Sequence, residues 1–117
     1  MNPRHRAGAG LLAAALALAL TGCAGQSPGR AVIITEGRRF APATLSVGVG
    51  ERVVWRNRSQ DRHAVVVEGA GGGGPVGSPA LFHSDEWAHS FDRPGAYRFS
   101  CAFHGAEDMV GVLTVVE

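Results

Sequence analysis

The stretch AYRFSCAFHGAEDM, residues 96–109, combines a strand pattern with a short loop that carries three metal-binding side chains. Alternation places Tyr97, Phe99 and Cys101 on one face, so the thiol is predicted to point inward at the end of a buried strand. Cys101, His104 and Met109 follow in the order Cys-x2-His-x4-Met. Thiolate and thioether are soft donors and imidazole is borderline, so this set suits copper better than calcium or magnesium.

A further histidine lies upstream of this stretch. His63 shares its parity with Val65 and Val67, so its ring is expected on the core side, where the next strand opens. Two histidines, a thiolate and a weak axial thioether are the ligands of a blue-copper site. The sequence therefore predicts one copper ion per chain. The predicted metal ligands are His63, Cys101, His104 and Met109.

The chain beyond residue 30 has the pattern of short strands separated by turns that contain Gly and Pro. Strands are predicted at 31–35, 44–49, 51–57, from 63 onward, and at 86–91, 96–101 and 110–116. With no amphipathic helix of useful length, this pattern predicts an all-β sandwich. The glycine-rich stretch 69–79 lacks the Lys and following helix of a phosphate-binding loop, and is predicted to be a mobile surface loop.

Four segments resemble the cupredoxin family, namely FAP at 40–42, GERVVWRN at 50–57, HAV at 63–65 and PGAYRFSC at 94–101. The Cys-x2-His-x4-Met spacing resembles the plastocyanin and halocyanin branch. The resemblance covers 31–117 and implies a cupredoxin-like Greek-key β-sandwich or barrel that acts as a one-electron carrier and not as an enzyme.

The resemblance also implies an electron port at the loop histidine, His104. Part of the apolar patch around it would come from Ala102, Phe103, Gly105 and Ala106. One position departs from the family pattern. Plastocyanins often carry Asn directly after the first ligand His, whereas this chain has Ala64 and lacks the hydrogen bond of that side chain.

Residues 1–22 have the pattern of a lipoprotein signal peptide. Arg4 and Arg6 precede an apolar run, 7–20, that is too short to span a bilayer comfortably. LTGC at 20–23 resembles a bacterial lipobox, which implies cleavage before Cys23 and acylation of its thiol. Residues 23–30 would then be a lipidated, flexible tether, and 31–117 the domain. An ordinary secretory signal and a transmembrane anchor are the alternatives.

The 95 residues from Cys23 onward are enough for one small core and no second domain. Without Arg4 and Arg6, nine arginines remain against ten Asp and Glu, and no basic run supports nucleic-acid binding. We expect an exported monomer, lipid-anchored to the cell membrane and facing the outside or the periplasm. Its partners would be membrane or periplasmic redox proteins that it meets transiently.

Several other interpretations fit parts of the same pattern. Cys101 could be a plain core thiol, could pair with Cys23 in a disulfide, or could bind zinc. A copper protein could also serve copper storage, delivery or resistance, although a buried thiolate favours retention of the metal. His83 and His89, with Asp85 and Glu86, could form a second weak metal site, but exposed or hydrogen-bonded histidines are commoner.

Overall fold

The computed structural model describes residues 29–69, 74–104 and 109–117. Within these ranges the chain forms nine strands and no helix. The strands are β1 Arg30–Thr35, β2 Arg39–Ala41, β3 Thr44–Gly48, β4 Arg52–Asn57, β5 Val65–Gly69, β6 Val76–Gly77, β7 Glu86–Ser90, β8 Gly95–Cys101 and β9 Val110–Val116.

The strands form two sheets, ordered β2-β1-β4-β7 and β3-β9-β8-β5-β6. Both sheets are mixed, because β1 pairs with β4 and β3 pairs with β9 in parallel, while the remaining pairs are antiparallel. The predicted all-β sandwich is confirmed.

An aromatic cluster fills the centre of the sandwich. Phe99 of β8 and Trp55 of β4 come from different sheets, are fully buried, and pack edge to face with ring centroids 5.6 Å apart. Phe40 of β2 also packs edge to face with Phe99, with ring centroids 4.8 Å apart. Such pairs contribute roughly 0.5–1.5 kcal/mol beyond their burial, so this cluster ties the two sheets together.

The structure corrects two predicted boundaries. His63 does not open a strand: it forms an isolated bridge with Leu81, and β5 begins at Val65. The stretch 69–79 is not loop throughout, because β6 pairs with β5 inside it. Val76 packs against the core and so holds this two-residue edge strand in place. The glycines around it in the sequence do not predict this contact.

Several predictions concern residues outside the described ranges. They include the signal peptide, Cys23 and most of the tether, together with 70–73 and 105–108. In the part of the chain that the structure does describe, no helix is long and apolar enough to cross a membrane.

Candidate metal centre

Three of the predicted ligands meet at one end of the sandwich. The potential ligand atoms of His63, Cys101 and His104 all lie within 4.8 Å of one another. The Cys101 sulfur is 3.6 Å from Nδ1 of His63 and 3.6 Å from Nδ1 of His104. The two imidazole rings stand edge to face, with centroids 5.3 Å apart. Both Nδ1 atoms therefore face the same thiol.

Strand register explains why His63 and Cys101 converge. Val65 of β5 lies directly opposite Cys101 of β8, and residues opposite each other point to the same side of a sheet. His63 lies two residues before Val65 and therefore shares that side. Its backbone is held by a pair of hydrogen bonds with Leu81, of 3.0 Å and 2.6 Å. Both side chains are essentially inaccessible to solvent.

Met109 lies immediately before β9, at the same level as Cys101. Ser100 pairs with Val110, so one further step of the β8–β9 register places Met109 opposite Cys101. Met109 is only 1% exposed and belongs to the same core cluster as the thiol. This burial suits the predicted axial ligand, and the assignment stays a prediction.

The loop after Cys101 turns back toward the thiol. The Phe103 N–H donates to the Cys101 sulfur at 3.4 Å, and the His104 N–H donates to the Cys101 carbonyl at 3.2 Å. His104 is partly exposed, and the neighbouring Phe103 ring is 46% exposed. The Arg62 guanidinium lies 4.6 Å from the centre of that ring. Ala102 is exposed as well, whereas the predicted patch residues Gly105 and Ala106 lie outside the described ranges.

The backbone of Ala64 connects the segment that contains His63 to the segment that contains Cys101. Its carbonyl accepts the Ala102 N–H at 2.8 Å, one residue from each of His63 and Cys101. The backbone therefore connects the segments although the side chain cannot donate a hydrogen bond.

The electrostatic environment favours a neutral His63. Burial lowers the pKa of the ring below its ordinary value of 6.5, because desolvation penalises the imidazolium form. The neighbouring His104 lowers this pKa further. A neutral imidazole is the form that binds metals.

The second nitrogen of His63 contacts a polar loop that the sequence did not single out. Nε2 lies 3.0 Å from Oγ of Ser59, and Ser59 in turn contacts Asn57. Asn and Ser at a strand end commonly bond to nearby backbone, which is a signal for a turn. That signal does not indicate burial, so the contact with His63 could not be read from it.

His83 and His89 do not form a second metal site with Asp85 and Glu86, in agreement with the preferred interpretation of these histidines. Among the described residues, only His63, Cys101 and His104 bring three potential ligand atoms of His, Cys, Asp or Glu close together. Asp85 accepts the Phe82 N–H, and Glu86 pairs with Arg56 at 3.0 Å. His83 bonds through Nδ1 to the Ser59 carbonyl, and His89 stacks on Trp87. The four side chains have separate structural roles.

The donor set fits copper. A soft thiolate, two imidazoles and a thioether can satisfy both Cu(I) and Cu(II), whereas structural zinc sites normally use four Cys or His ligands. Cys101 is a free, buried thiol. His63, Cys101, His104 and Met109 could thus form a single copper site.

Comparison with known proteins agrees with this chemistry. The family model for copper binding proteins of the plastocyanin/azurin family matches residues 31–116. Plastocyanin from Ginkgo biloba is 31% identical over 85 residues, which span 65% of this chain and 86% of that protein. Chloroplastic plastocyanin from Tetradesmus obliquus is 30% identical over 83 residues, and the match spans 65% of this chain and 57% of that protein.

Solved structures show the same fold. A purple cupredoxin from Nitrosopumilus maritimus superimposes with a TM-score of 0.64 at 28% identity, covering 74% of this chain and 98% of that chain. A reduced amicyanin variant gives a TM-score of 0.67 at 27% identity, covering 75% of this chain and 82% of that chain.

Proposed function

The chain belongs to the plastocyanin/azurin family of copper-binding proteins, and from this premise we propose that it is a blue copper protein that carries single electrons. One observation carries the proposal: the donor atoms of His63, Cys101 and His104 converge within 4.8 Å at the end of a packed sandwich. Copper, when bound, supplies a one-electron couple between Cu(I) and Cu(II).

The scaffold suits such a couple because it resists rearrangement. Cys101 ends strand β8, and His63 is bridged to Leu81 directly before β5. Cys101 belongs to the buried core cluster, and His63 is fully buried. Because protein interiors are close-packed, a change of oxidation state would move these ligands little. A small geometric change between the two states is what fast electron transfer requires.

His104 is the proposed electron port, because it is the partly exposed member of the converging set. Phe103 and Ala102 offer exposed apolar surface beside it. A small surface of this kind suits the brief encounters of a carrier with membrane or periplasmic redox proteins.

Copper storage, delivery or resistance is the alternative function. Delivery requires that the metal be handed to an acceptor, which exposed Met or His ligands allow. Cys101 and Met109 are each 1% exposed, and this burial favours retention. We therefore place electron transfer first, with a carrier role and not an enzymatic one.

The proposed location is the outer face of a bacterial membrane. Support for it comes from the LTGC motif at 20–23, where Cys23 would carry the lipid anchor. The chain would act there as a monomer.

The proposal is tested by adding Cu(II) to the copper-free protein and recording its absorption spectrum. An intense thiolate-to-copper band toward the red end is expected, and it should disappear reversibly on one-electron reduction. Cys101→Ser should abolish the band, because a hydroxyl is a hard, weakly acidic donor. His89→Ala is the matched control and should stay coloured, since His89 lies outside the ligand set and stacks on Trp87. Persistent colour in Cys101→Ser would rule out this thiolate as the ligand.

A chelator challenge separates the two functions. Loaded protein that loses copper rapidly to a competing chelator, yet is slowly oxidised and reduced by small redox reagents, would favour delivery over electron transfer.

A further inference from the structure

Three buried polar residues form one connected group beneath the metal centre. Asn57, Ser59 and His63 are 0%, 1% and 0% exposed, and they are the buried polar residues found within the described ranges. Buried polar groups cost free energy unless they are hydrogen-bonded, so their connections decide what the group does.

Asn57 has an orientation that its partners determine. Its Nδ2 donates to the carbonyl of Asp61 and to the carbonyl of Leu81, each at 2.8 Å. Both partners can only accept, so a flipped amide would set Oδ1 against two carbonyl oxygens. Oδ1 therefore faces Ser59, where it accepts the backbone N–H at 2.9 Å.

The Ser59 hydroxyl then has a defined direction. Its Oγ lies 2.8 Å from Asn57 Oδ1 and 3.1 Å from the Asp61 carbonyl. Both are acceptors, so the single hydroxyl proton points toward them. The lone pairs of Oγ are left to face His63 Nε2, 3.0 Å away.

From this geometry we infer that Ser59 is a positioning residue, held by Asn57, that keeps the proton of His63 on Nε2 and leaves Nδ1 free for copper. Nδ1 is the nitrogen that lies 3.6 Å from the Cys101 sulfur. The two hydrogen bonds have one direction: His63 Nε2–H donates to Ser59 Oγ, and the Ser59 hydroxyl donates to Asn57 Oδ1. A side-chain hydroxyl thus selects the tautomer, fixes the ring orientation and strengthens the imidazole as a donor.

The inference rests on the proposed role of His63 as a copper ligand, and its first test needs no copper. Long-range ¹H–¹⁵N NMR of the copper-free protein, at a pH where imidazole is neutral, reports which ring nitrogen carries the proton. The wild-type protein should show His63 protonated on Nε2. Ser59→Ala should shift the population toward the Nδ1–H form, since Cys101 then offers the nearer acceptor.

The second test measures the metal. Loss of such a partner typically weakens metal binding 10–100-fold. Ser59→Ala should weaken copper binding by about this factor, with Cu(II) losing more than Cu(I), because the higher charge gains more from a basic imidazole. The reduction potential should therefore rise, by about 59 mV for each tenfold difference between the two losses. Ser59→Thr, which keeps the hydroxyl, should return both readouts toward wild type.

Ser78→Ala is the matched control. The Ser78 hydroxyl accepts the Val65 N–H at 2.9 Å and donates to the Pro79 carbonyl at 2.7 Å, and neither partner is one of the predicted ligands. This variant should leave the His63 tautomer and the potential unchanged, even if its melting temperature falls.

Two results would overturn the inference. One is a wild-type His63 that carries its proton on Nδ1. The other is a Ser59→Ala variant whose tautomer and potential match those of wild type. If the wild-type protein binds no copper at all, the proposed function fails, and the tautomer comparison by itself still decides the role of Ser59.

Discussion

Gly111 of β9 lies directly opposite Phe99 of β8, and the Phe99 ring folds over it. A Cβ built at this position would collide with two ring carbons of Phe99 and would lie 2.8 Å from the Ala43 carbonyl oxygen. The ring cannot swing away, because it is fully buried and packs edge to face against both Phe40 and Trp55. Gly111→Ala should therefore destabilise the fold.

The magnitude follows from two opposing effects. Overpacking a well-filled core costs about 1–3 kcal/mol, and this site belongs at the upper end because two separate groups obstruct the methyl. Replacing Gly by Ala also reduces the entropy of the unfolded chain, which restores about 0.4–1 kcal/mol. The expected net loss is about 2 kcal/mol, or a fall in melting temperature of roughly 8–16 °C for a domain of this size.

Gly48→Ala on the adjacent strand β3 is the matched control. The nearest atoms to a Cβ at that position are Glu51 Oε1 and the Val116 carbonyl oxygen, both at 4.0 Å. It should be neutral or slightly stabilising. Thermal and urea unfolding of the copper-free proteins, followed by circular dichroism, measure both variants. If Gly111→Ala melts at or above the wild-type temperature, the reasoning from the Phe99 contact is refuted.

Three further predictions concern the metal, the membrane and pH. Met109→Leu should raise the reduction potential, because loss of a weak axial donor favours Cu(I), whereas Met109→Gln should lower it. Voltammetry of the two variants measures these shifts, and the absence of both would exclude Met109 as the axial ligand. Cys23→Ala should convert a membrane-bound protein into a released one that keeps its colour, since each buried methylene of the lost acyl chains contributes about 0.8 kcal/mol to membrane binding. Wild-type protein that is already free after cell fractionation would contradict the lipid anchor. In the copper-free protein, stability should fall as the pH drops below 6.5 toward the lowered pKa of folded His63, because the unfolded chain takes up a proton that the buried ring resists. Urea unfolding at a series of pH values measures this slope, and an equal slope in His63→Gln would assign it to other groups.

Much of the fold and part of the site could be predicted from local pattern. Alternation over 96–101 places Phe99 and Cys101 on the buried face, and the structure confirms that placement. Only two residues separate Cys101 from His104, so proximity of these two donors follows from chain connectivity. The position of His63 relative to Cys101 was harder to predict. Its parity with Val65 indicates which face of the sheet its ring lies on, but not which strand lies beside it.

What only the tertiary structure decided depends on contacts between distant segments. Asn57 and Ser59 lie in a polar stretch that composition alone would place on the surface, yet both are buried. Asn57 donates to the backbone carbonyls of Asp61 and Leu81, and Leu81 lies 24 residues further along the chain. The Gly111 contact with Phe99 depends in the same way on the β8–β9 register, and β6 forms within a glycine-rich stretch because β5 lies beside it. Periodicity reports which way a side chain points from its own strand. Periodicity does not predict which residues of another strand pack over that side chain, because burial and hydrogen bonding depend on pairings between residues far apart in the chain.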